Sequence, residues 1–327
     1  QKLRNRWIYI LLILLLITSC QNDVSIEAIQ VVKRATMPQP TAAGVSFVHG
    51  DNIYLFGGRD NFGTNHNDLW AYNTTTDTWR EVPTHIPLKA RASASACVIG
   101  DCAYIGLGFD GKVQRESSYL RDFWQYNFKT LQWKRLADFP ANTTVKNCLF
   151  ATEEAIYATY GFNREFTQDV YRYDINKDMW EKLDISASSS IPRAMDIVGA
   201  TCQKRYFVGT GFNHGSLRFW AEWLPTEQKF IPRQKILGAG RNAAVCCATD
   251  DYVYLAGGRH YGDTLTTGFF YSSIQRYSPE QDQWEYVGSM PYEAENMVMA
   301  YIKGKIFIGL GENKDGVIQD KWYSFEE

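Results

Sequence analysis

Five arginines recur at comparable places beside apolar runs that end in glycine. A guanidinium group holds a carboxylate through two parallel hydrogen bonds, so arginines that converge predict a site for an acidic ligand. Arg59 and Arg259 directly follow a Gly-Gly pair. Arg91, Arg241 and Arg193 each lie about thirteen residues before a tyrosine of such a run, and the register of Arg193 is open by one residue. The alternative is that each arginine pairs with a nearby acid, for which the candidates are Asp60, Asp110, Glu295 and Glu312.

Aromatic and acidic residues occupy neighbouring places. Phe109, Phe162 and Phe212 directly follow the glycine of three other apolar runs. Their rings could form a stacking surface for a sugar or an apolar side chain, or they could pack beneath their loops. Side chains nearby that could move a proton or bind sugar hydroxyls are Glu293, Glu295, Glu312, Asn163, Asn213, Asn296 and His260.

Histidine and cysteine do not predict a metal site. The five histidines are scattered, and the seven cysteines include no Cys-x-x-Cys pair. We therefore expect no metal and no cofactor. The cysteines after Cys20 are interpreted as small buried residues, although Cys97 and Cys102 flank a tight turn and could form a disulfide. A formal net charge of −2 without a basic run argues against a nucleic-acid partner.

These residues lie on an internal repeat of about fifty residues. The last glycines of the apolar runs are Gly58, Gly108, Gly161, Gly211, Gly258 and Gly311. After each of the first five runs, an aromatic residue is followed seven positions later by a second one: Tyr72/Trp79, Tyr126/Trp133, Tyr173/Trp180, Trp223/Phe230 and Tyr277/Trp284. A period near fifty with four short strand-like runs is typical of a radial β-repeat.

The repeat resembles the kelch motif, in which an apolar strand, Gly-Gly and a polar loop precede an aromatic strand and a tryptophan. The resemblance runs from about residue 27 to the C-terminus and implies an all-β, six-bladed propeller with strands a to d from the centre outward. In blade 1 we expect strands at about 43–49, 52–57, 68–73 and 78–82.

The first and last units of the repeat are each incomplete. The last unit ends after KWYSF (321–325) without an outer strand, whereas residues 26–37 form a strand-like stretch without a unit of its own. We therefore expect the N-terminal strand to complete the last blade and to remove the free sheet edges of an open array.

The kelch resemblance also predicts where the arginines lie. In such propellers the loops that enter strand a and leave strand b surround the channel on one face, which implies that all five arginines lie near one channel mouth. Kelch domains that bind acidic peptides use arginines that enter strand a, and Arg91 and Arg241 match those positions by spacing.

Residues 1–20 resemble a bacterial lipoprotein signal. Lys2, Arg4 and Arg6 precede an apolar run over 7–17, and the following ITSC (17–20) is similar to a lipobox, which ends on the lipidated cysteine, here Cys20. A plain signal peptide or an uncleaved anchor is the alternative. We expect a signal peptide at 1–19, a tether at 20–26 and the propeller at 27–327. The protein would then be lipid-anchored to the outer membrane of the cell envelope, as in similar kelch lipoproteins of Bacteroidota-type bacteria.

Three functions are consistent with this sequence. The first is a non-enzymatic envelope module that binds a carbohydrate or a protein partner at the arginine-lined mouth. The second follows from resemblance to six-bladed kelch mutarotases of N-acetylneuraminate: Arg91 or Arg241 would hold the carboxylate and Glu293, Glu295 or Glu312 would move the proton, although those enzymes have a mid-chain insertion that this chain lacks. The third is a structural subunit of an envelope assembly. Copper oxidase chemistry, known from another kelch enzyme, has no matching residues here.

Overall fold

A computed structural model describes residues 29–111, 118–141, 147–185, 190–261 and 268–327. The expected signal peptide, the tether and the lipidation residue Cys20 lie outside the described residues. In the part that is described, no helix is both long and apolar enough to span a membrane.

The described chain forms six antiparallel four-stranded sheets, which are the blades of a propeller. Blade 1 consists of Val45–His49, Asn52–Phe56, Leu69–Asn73 and Thr78–Glu81. Blade 2 consists of Ser95–Ile99, Cys102–Gly106, Phe123–Asn127 and Gln132–Leu136. Blade 3 consists of Cys148–Ala151, Ala155–Asn163, Glu165–Asp174 and Met179–Lys182.

Blades 4 to 6 repeat the arrangement. Blade 4 consists of Val198–Cys202, Arg205–Gly209, Trp220–Leu224 and Lys229–Arg233. Blade 5 consists of Val245–Ala248, Val253–Ala256, Ser273–Ser278 and Gln283–Ser289. Blade 6 consists of Val298–Ile302, Lys305–Gly309, Trp322–Glu326 and, as its outer strand, Val32–Lys33. A two-stranded hairpin, Arg259–Tyr261 with Gly268–Phe270, extends from blade 5.

The six blades form a closed ring. Strand a of every blade contacts strand a of both neighbouring blades, and blade 6 contacts blade 1 in the same way. The N-terminal strand pairs antiparallel with strand c of blade 6, where Val32 lies opposite Ser324 and Lys33 opposite Tyr323. The predicted six-bladed propeller, with its last blade completed by the N-terminal strand, is therefore confirmed.

The repeated aromatic pairs join strands c and d, and they also pack against the preceding blade, as where Trp79 meets Trp322 edge to face at 5.4 Å. Tyr72 lies directly opposite Trp79 across strands c and d, with ring centroids 5.0 Å apart. In blade 4 the replacement pair Trp223/Phe230 keeps the same register and a centroid distance of 4.9 Å. Aromatic pairs at such distances add about 0.5–1.5 kcal/mol to the free energy of burial. The seven-residue spacing in the sequence therefore reflects a fixed c–d turn and register.

One group of three side chains holds the N-terminal segment in place. The Tyr72 hydroxyl donates to Asp77 Oδ1 at 2.6 Å, and the same oxygen accepts the Ala35 backbone N–H at 2.9 Å. Trp79 Nε1 donates to the Ala35 carbonyl at 3.0 Å. Ala35 follows the outer strand of blade 6, so these bonds attach that blade to blade 1. We call this group of Tyr, Asp and Trp the inter-blade clasp.

The clasp recurs on alternate blades. In blade 3, Asp178 and Trp180 bind both backbone groups of Ala137, and in blade 5, Asp282 and Trp284 bind those of Gln234. The equivalent of Asp77 is Leu131 in blade 2 and Gln228 in blade 4. In blade 2, Trp133 Nε1 reaches the Thr84 hydroxyl instead, at 3.2 Å. Blades 1, 3 and 5 are thus the blades that hold a residue after the outer strand of the preceding blade through both an aspartate and a tryptophan.

We expect Asp77→Gly to lower the free energy of unfolding by about 1–3 kcal/mol, because Tyr72 and the Ala35 N–H lose a partner. Glycine tolerates the backbone here, where Asp77 has a φ of 52°, so added strain does not contribute. Urea unfolding measures the change. Leu131→Gly is the control, since Leu131 has the same backbone conformation, with a φ of 58°, but no carboxylate. An equal loss in both variants would contradict the role of the clasp.

Candidate functional site at the channel mouth

The inner strands of all six blades surround a central channel of about 260 Å³. Small residues line most of it, including Gly44, Ser46, Ser95 and Gly199. At the end where the chain enters each strand a, polar groups appear, namely Asp196 and Asn296. The channel is therefore narrow along its length and polar at this mouth.

Six equivalent residues surround the mouth, each directly after the last glycine of strand b. They are Arg59, Phe109, Phe162, Phe212, Arg259 and Glu312, and we call them the mouth ring. Five of them form isolated β-bridges to the residues that enter strand a: Ala42, Ala92, Met195, Asn242 and Glu295. These bridges fix the backbone of the mouth ring next to the channel lining. All six residues were candidates from the sequence, and the structure brings them together.

The charged members of the mouth ring occupy one side, in blades 5, 6 and 1. The Arg59 guanidinium forms an ion pair with the Glu312 carboxylate, and both side chains are partly exposed. The Arg259 guanidinium lies over the Tyr261 ring, 4.3 Å from its centroid, and 5.1 Å from the centroid of Phe270. Arg259 and Tyr261 lie on the same side of the blade 5 hairpin because side chains alternate along a strand.

The opposite side of the mouth, in blades 2 to 4, is aromatic. Phe162 packs against Phe166 with centroids 5.3 Å apart, and Phe166 lies 6.0 Å from Phe212. Phe212 meets Tyr261 edge to face at 5.5 Å, which joins the two sides. The three phenylalanine rings are only partly buried and present an apolar wall.

Phe109 differs from the other phenylalanines of the mouth ring. It is only 4% exposed and packs with Ala92 and Tyr119 beneath its loop. The stacking surface expected from three phenylalanines is therefore corrected to Phe162 and Phe212, with Phe166 added.

Tyr261 is the titratable group at the centre of the mouth. Burial raises its pKa, the Glu295 carboxylate raises the pKa further, and Arg259 lowers it. Asp196 and Glu312 also lie close enough to raise the pKa of Tyr261. The hydroxyl is therefore protonated at neutral pH and is a hydrogen-bond donor among several carboxylates.

Arg91 does not belong to the mouth, which corrects the expectation from spacing. Its side chain is fully buried and forms two 2.8 Å hydrogen bonds to the Asp122 carboxylate. Its Nε donates to the Lys89 carbonyl, and Nη1, which also binds Asp122, donates to the Leu107 carbonyl. A ligand in the channel mouth cannot reach this guanidinium, and its role is to join two loops.

Arg241 occupies the equivalent place in blade 5 and is also fully buried. It donates to the Gly257 carbonyl at 3.0 Å and to the Ser273 hydroxyl at 3.2 Å, and its guanidinium lies 3.9 Å from the Tyr271 ring centroid. Ser273 in blade 5 is equivalent to Asp122 in blade 2. Each directly precedes the strand c residue that pairs with the last residue of strand b. Among the described residues no carboxylate forms an ion pair with Arg241, and burial lowers its pKa to about 10. Arg241 too is structural.

Arg193 and Glu293 also lie outside the mouth ring. Ala194, not Arg193, takes the buried position that Arg91 has in blade 2, so the Arg193 side chain is exposed. It lines a neighbouring pocket with Asp169, Lys182 and Phe166. The Glu293 carboxylate oxygen Oε1 lies 3.9 Å from Lys314 Nζ in blade 6. The one-residue shift in blade 4 accounts for the different place of Arg193.

Cysteine and histidine chemistry is not assembled at the mouth. All six cysteines of the described chain are free, so Cys97 and Cys102 are not joined. Within the described ranges, no group of three His, Cys, Asp or Glu side chains is arranged to hold a metal ion. His260 Nδ1 lies 2.8 Å from the Gly240 carbonyl, away from the mouth ring.

Comparison with known proteins decides the family. Residues 19–211 match the KLHDC2/KLHL20/DRC7 Kelch-repeats domain, and residues 240–291 match the Kelch motif. This chain belongs to the kelch-repeat family.

Two bacterial relatives and one animal relative illustrate the similarity of this kelch-repeat chain. It is 28% identical over 243 residues to N-acetylneuraminate epimerase of Pasteurella multocida, covering 71% of this chain and 55% of that protein. It is 25% identical over 261 residues to N-acetylneuraminate epimerase of Vibrio cholerae, covering 76% and 59%. It is 22% identical over 280 residues to Kelch-like protein 25 of Xenopus tropicalis, covering 83% and 44%. The kelch chain therefore spans about half the length of these relatives.

Three residues of the kelch mouth were missed in the sequence: Phe166, Asp196 and Tyr261. Tyr261 could have been found, because it lies two residues after Arg259 and strand alternation places both on one side. Phe166 reaches the mouth because strands b and c of blade 3 are unusually long, at 9 and 10 residues. Asp196 enters the channel from a backbone with a φ of 56°, for which the sequence has no signal.

The kelch repeat itself suggests a test of the buried arginines. We expect Ser273→Asp to raise the free energy of unfolding by about 1–3 kcal/mol, because Arg241 gains a charged hydrogen-bond partner. Asp122→Ser should have the opposite effect and cost roughly 3–5 kcal/mol, since it leaves Arg91 buried without its carboxylate. Denaturant unfolding of both variants measures these changes. A lower free energy of unfolding for Ser273→Asp would contradict the claim that Arg241 lacks a charged hydrogen-bond partner.

Proposed function

We propose that this kelch-repeat propeller binds an acidic sugar at the mouth of its channel. The observation that carries the proposal is the two-sided mouth: Arg259 and Tyr261 on one side and the rings of Phe162, Phe166 and Phe212 on the other. An acidic sugar has a matching arrangement, with a carboxylate on one edge and apolar C–H faces. The fit needs no metal or cofactor.

Arg259 is the residue we assign to the ligand carboxylate. The Arg59 guanidinium forms an ion pair with Glu312, and the Arg259 guanidinium is held in place by stacking on two rings. Stacking fixes the plane of the guanidinium, so less side-chain conformational entropy is lost when a ligand binds. The Phe162–Phe166–Phe212 wall would then contact the sugar ring.

The curated relatives support the choice of ligand class. Two of those described above are named N-acetylneuraminate epimerases. N-acetylneuraminate is a nine-carbon sugar with a carboxylate, so it is the first ligand to test. We further propose that the protein acts in the cell envelope, where its membrane contact would be through the lipid on Cys20 alone.

Arg259→Ala should weaken N-acetylneuraminate binding by about 10–100-fold, the equivalent of a lost charged hydrogen-bond pair. Isothermal titration calorimetry of residues 21–327 measures the dissociation constant. Arg80→Ala is the matched control, because Arg80 is exposed on the outer strand of blade 1 and its loss should leave binding unchanged. N-acetylmannosamine, which has no carboxylate, should not bind detectably. Equal affinity of wild type and Arg259→Ala would contradict the assignment.

A second candidate function is favoured by the groups around Tyr261. Its protonated hydroxyl lies among the carboxylates of Glu295, Glu312 and Asp196, an arrangement suited to proton transfer on a bound sugar. The protein would then interconvert the anomers of N-acetylneuraminate. Anomer exchange measured by NMR should be faster with wild type than in buffer and slower with Tyr261→Phe than with wild type. Exchange at the buffer rate with bound sugar present would exclude this candidate.

A further inference from the structure

A second cavity adjoins the mouth ring between the loops of blades 6, 1 and 2. It measures about 200 Å³ and shares Arg59, Phe109 and Glu312 with the mouth ring. Its other walls come from the b–c loops, with Asn61, Asn65 and Ile318 among them. A ligand that occupies the mouth could therefore extend into this cavity without leaving the surface. We call it the side cavity.

The side cavity is held open by bonds between loops. The Asn61 amide donates to the Ile318 carbonyl at 3.3 Å and accepts the Ile318 N–H at 2.7 Å, which ties blade 1 to blade 6. The Asn65 amide donates at 3.4 Å to the carbonyls of Phe109 and Gly111 in blade 2. A cavity that is formed before binding loses little entropy when a ligand enters.

An exposed aromatic residue lies on a loop that lines the side cavity. Phe62 lies between Asn61 and Gly63, which both line the cavity, and its side chain is 83% exposed. Its loop is ordered, because Asp60 Oδ1 accepts the backbone N–H groups of Phe62 at 2.8 Å and Thr64 at 2.9 Å. A ring this exposed contributes little to the stability of the fold, and its face is accessible for stacking on a ligand.

The chemistry of the side cavity differs from that of the mouth. Among its described lining residues Arg59 is the one cation and is paired with Glu312, and Asp60 and two asparagines supply further polar groups. Without an unpaired cation among its described residues, it suits a neutral group with several hydroxyls. Its volume is below the roughly 300–1,000 Å³ of sites that enclose a whole drug-sized ligand, so it matches one unit of a larger one.

We propose that the side cavity is a second sugar subsite and that the ligand is an oligosaccharide with an acidic terminal unit. The acidic unit occupies the mouth, the next neutral unit enters the side cavity, and Phe62 stacks on the neutral part. The inference rests on the proposed function and adds the length and order of the ligand.

The test compares two ligands with the same acidic unit and the same linkage. They are the methyl α-glycoside of N-acetylneuraminate and sialyllactose, in which N-acetylneuraminate is α-linked to lactose. We expect calorimetry to show about ten-fold tighter binding of sialyllactose. Phe62→Ala should remove that gain and leave the affinity for the methyl glycoside unchanged. Folding is not at risk in this variant because Phe62 is exposed.

Leu131→Ala is the control variant, since Leu131 is an exposed apolar residue on a c–d turn, at the opposite end of the strands. It should bind both ligands like wild type. Equal affinity of wild type for the two ligands would overturn the second subsite while leaving the proposed function intact. A Phe62→Ala variant that loses both ligands equally would also overturn it. If neither ligand binds wild type, the proposed function fails with it.

Discussion

The contact on which the rest of the molecule depends is the attachment of Ala35 to blade 1. The outer strand of blade 6 is only two residues long and comes from the other end of the chain. A strand that short contributes few sheet hydrogen bonds, so Asp77 and Trp79 supply the additional bonds that keep it in place. The same two side-chain types act in blades 3 and 5, where strands c and d of the preceding blade are joined by the chain. Their importance is greatest for blade 6, because its strands c and d have no covalent connection and meet only through pairing.

Closure of the ring explains why a binding site can form at its centre. Six loops that are far apart in sequence meet around one channel only when blade 6 contacts blade 1. The pair Arg59 and Glu312 links these two blades at the mouth, as the clasp does at the outer edge. Because every mouth-ring residue follows a strand b glycine, the backbone is repeated while the side chains are free to differ. That freedom produces a charged side and an aromatic side on one symmetric frame.

The fold could be predicted from the sequence because its signals are repeated. The Tyr/Trp spacing depends on a local c–d turn, and the incomplete ends of the repeat predicted the N-terminal strand in blade 6. The site was harder to predict. Arg91 and Arg241 share the spacing expected of ligand-binding arginines, but burial decides their role, and burial depends on Asp122, Ser273 and Tyr271 from distant loops. The mouth-ring residues could be grouped from the sequence because each directly follows a repeated glycine, whereas Phe166 reaches the mouth only through the longer strands of blade 3.

The most direct test of the two-sided mouth is saturation-transfer difference NMR of N-acetylneuraminate with the propeller, irradiating protein aromatic protons. The account predicts transfer to the C–H protons of the sugar, because Phe162, Phe166 and Phe212 contact them, and loss of that transfer in Phe212→Ala. The buried Phe109 should not matter for the signal. Transfer that is absent with wild type, or that survives unchanged in Phe212→Ala, would contradict the claim that the aromatic side of the mouth receives an acidic sugar.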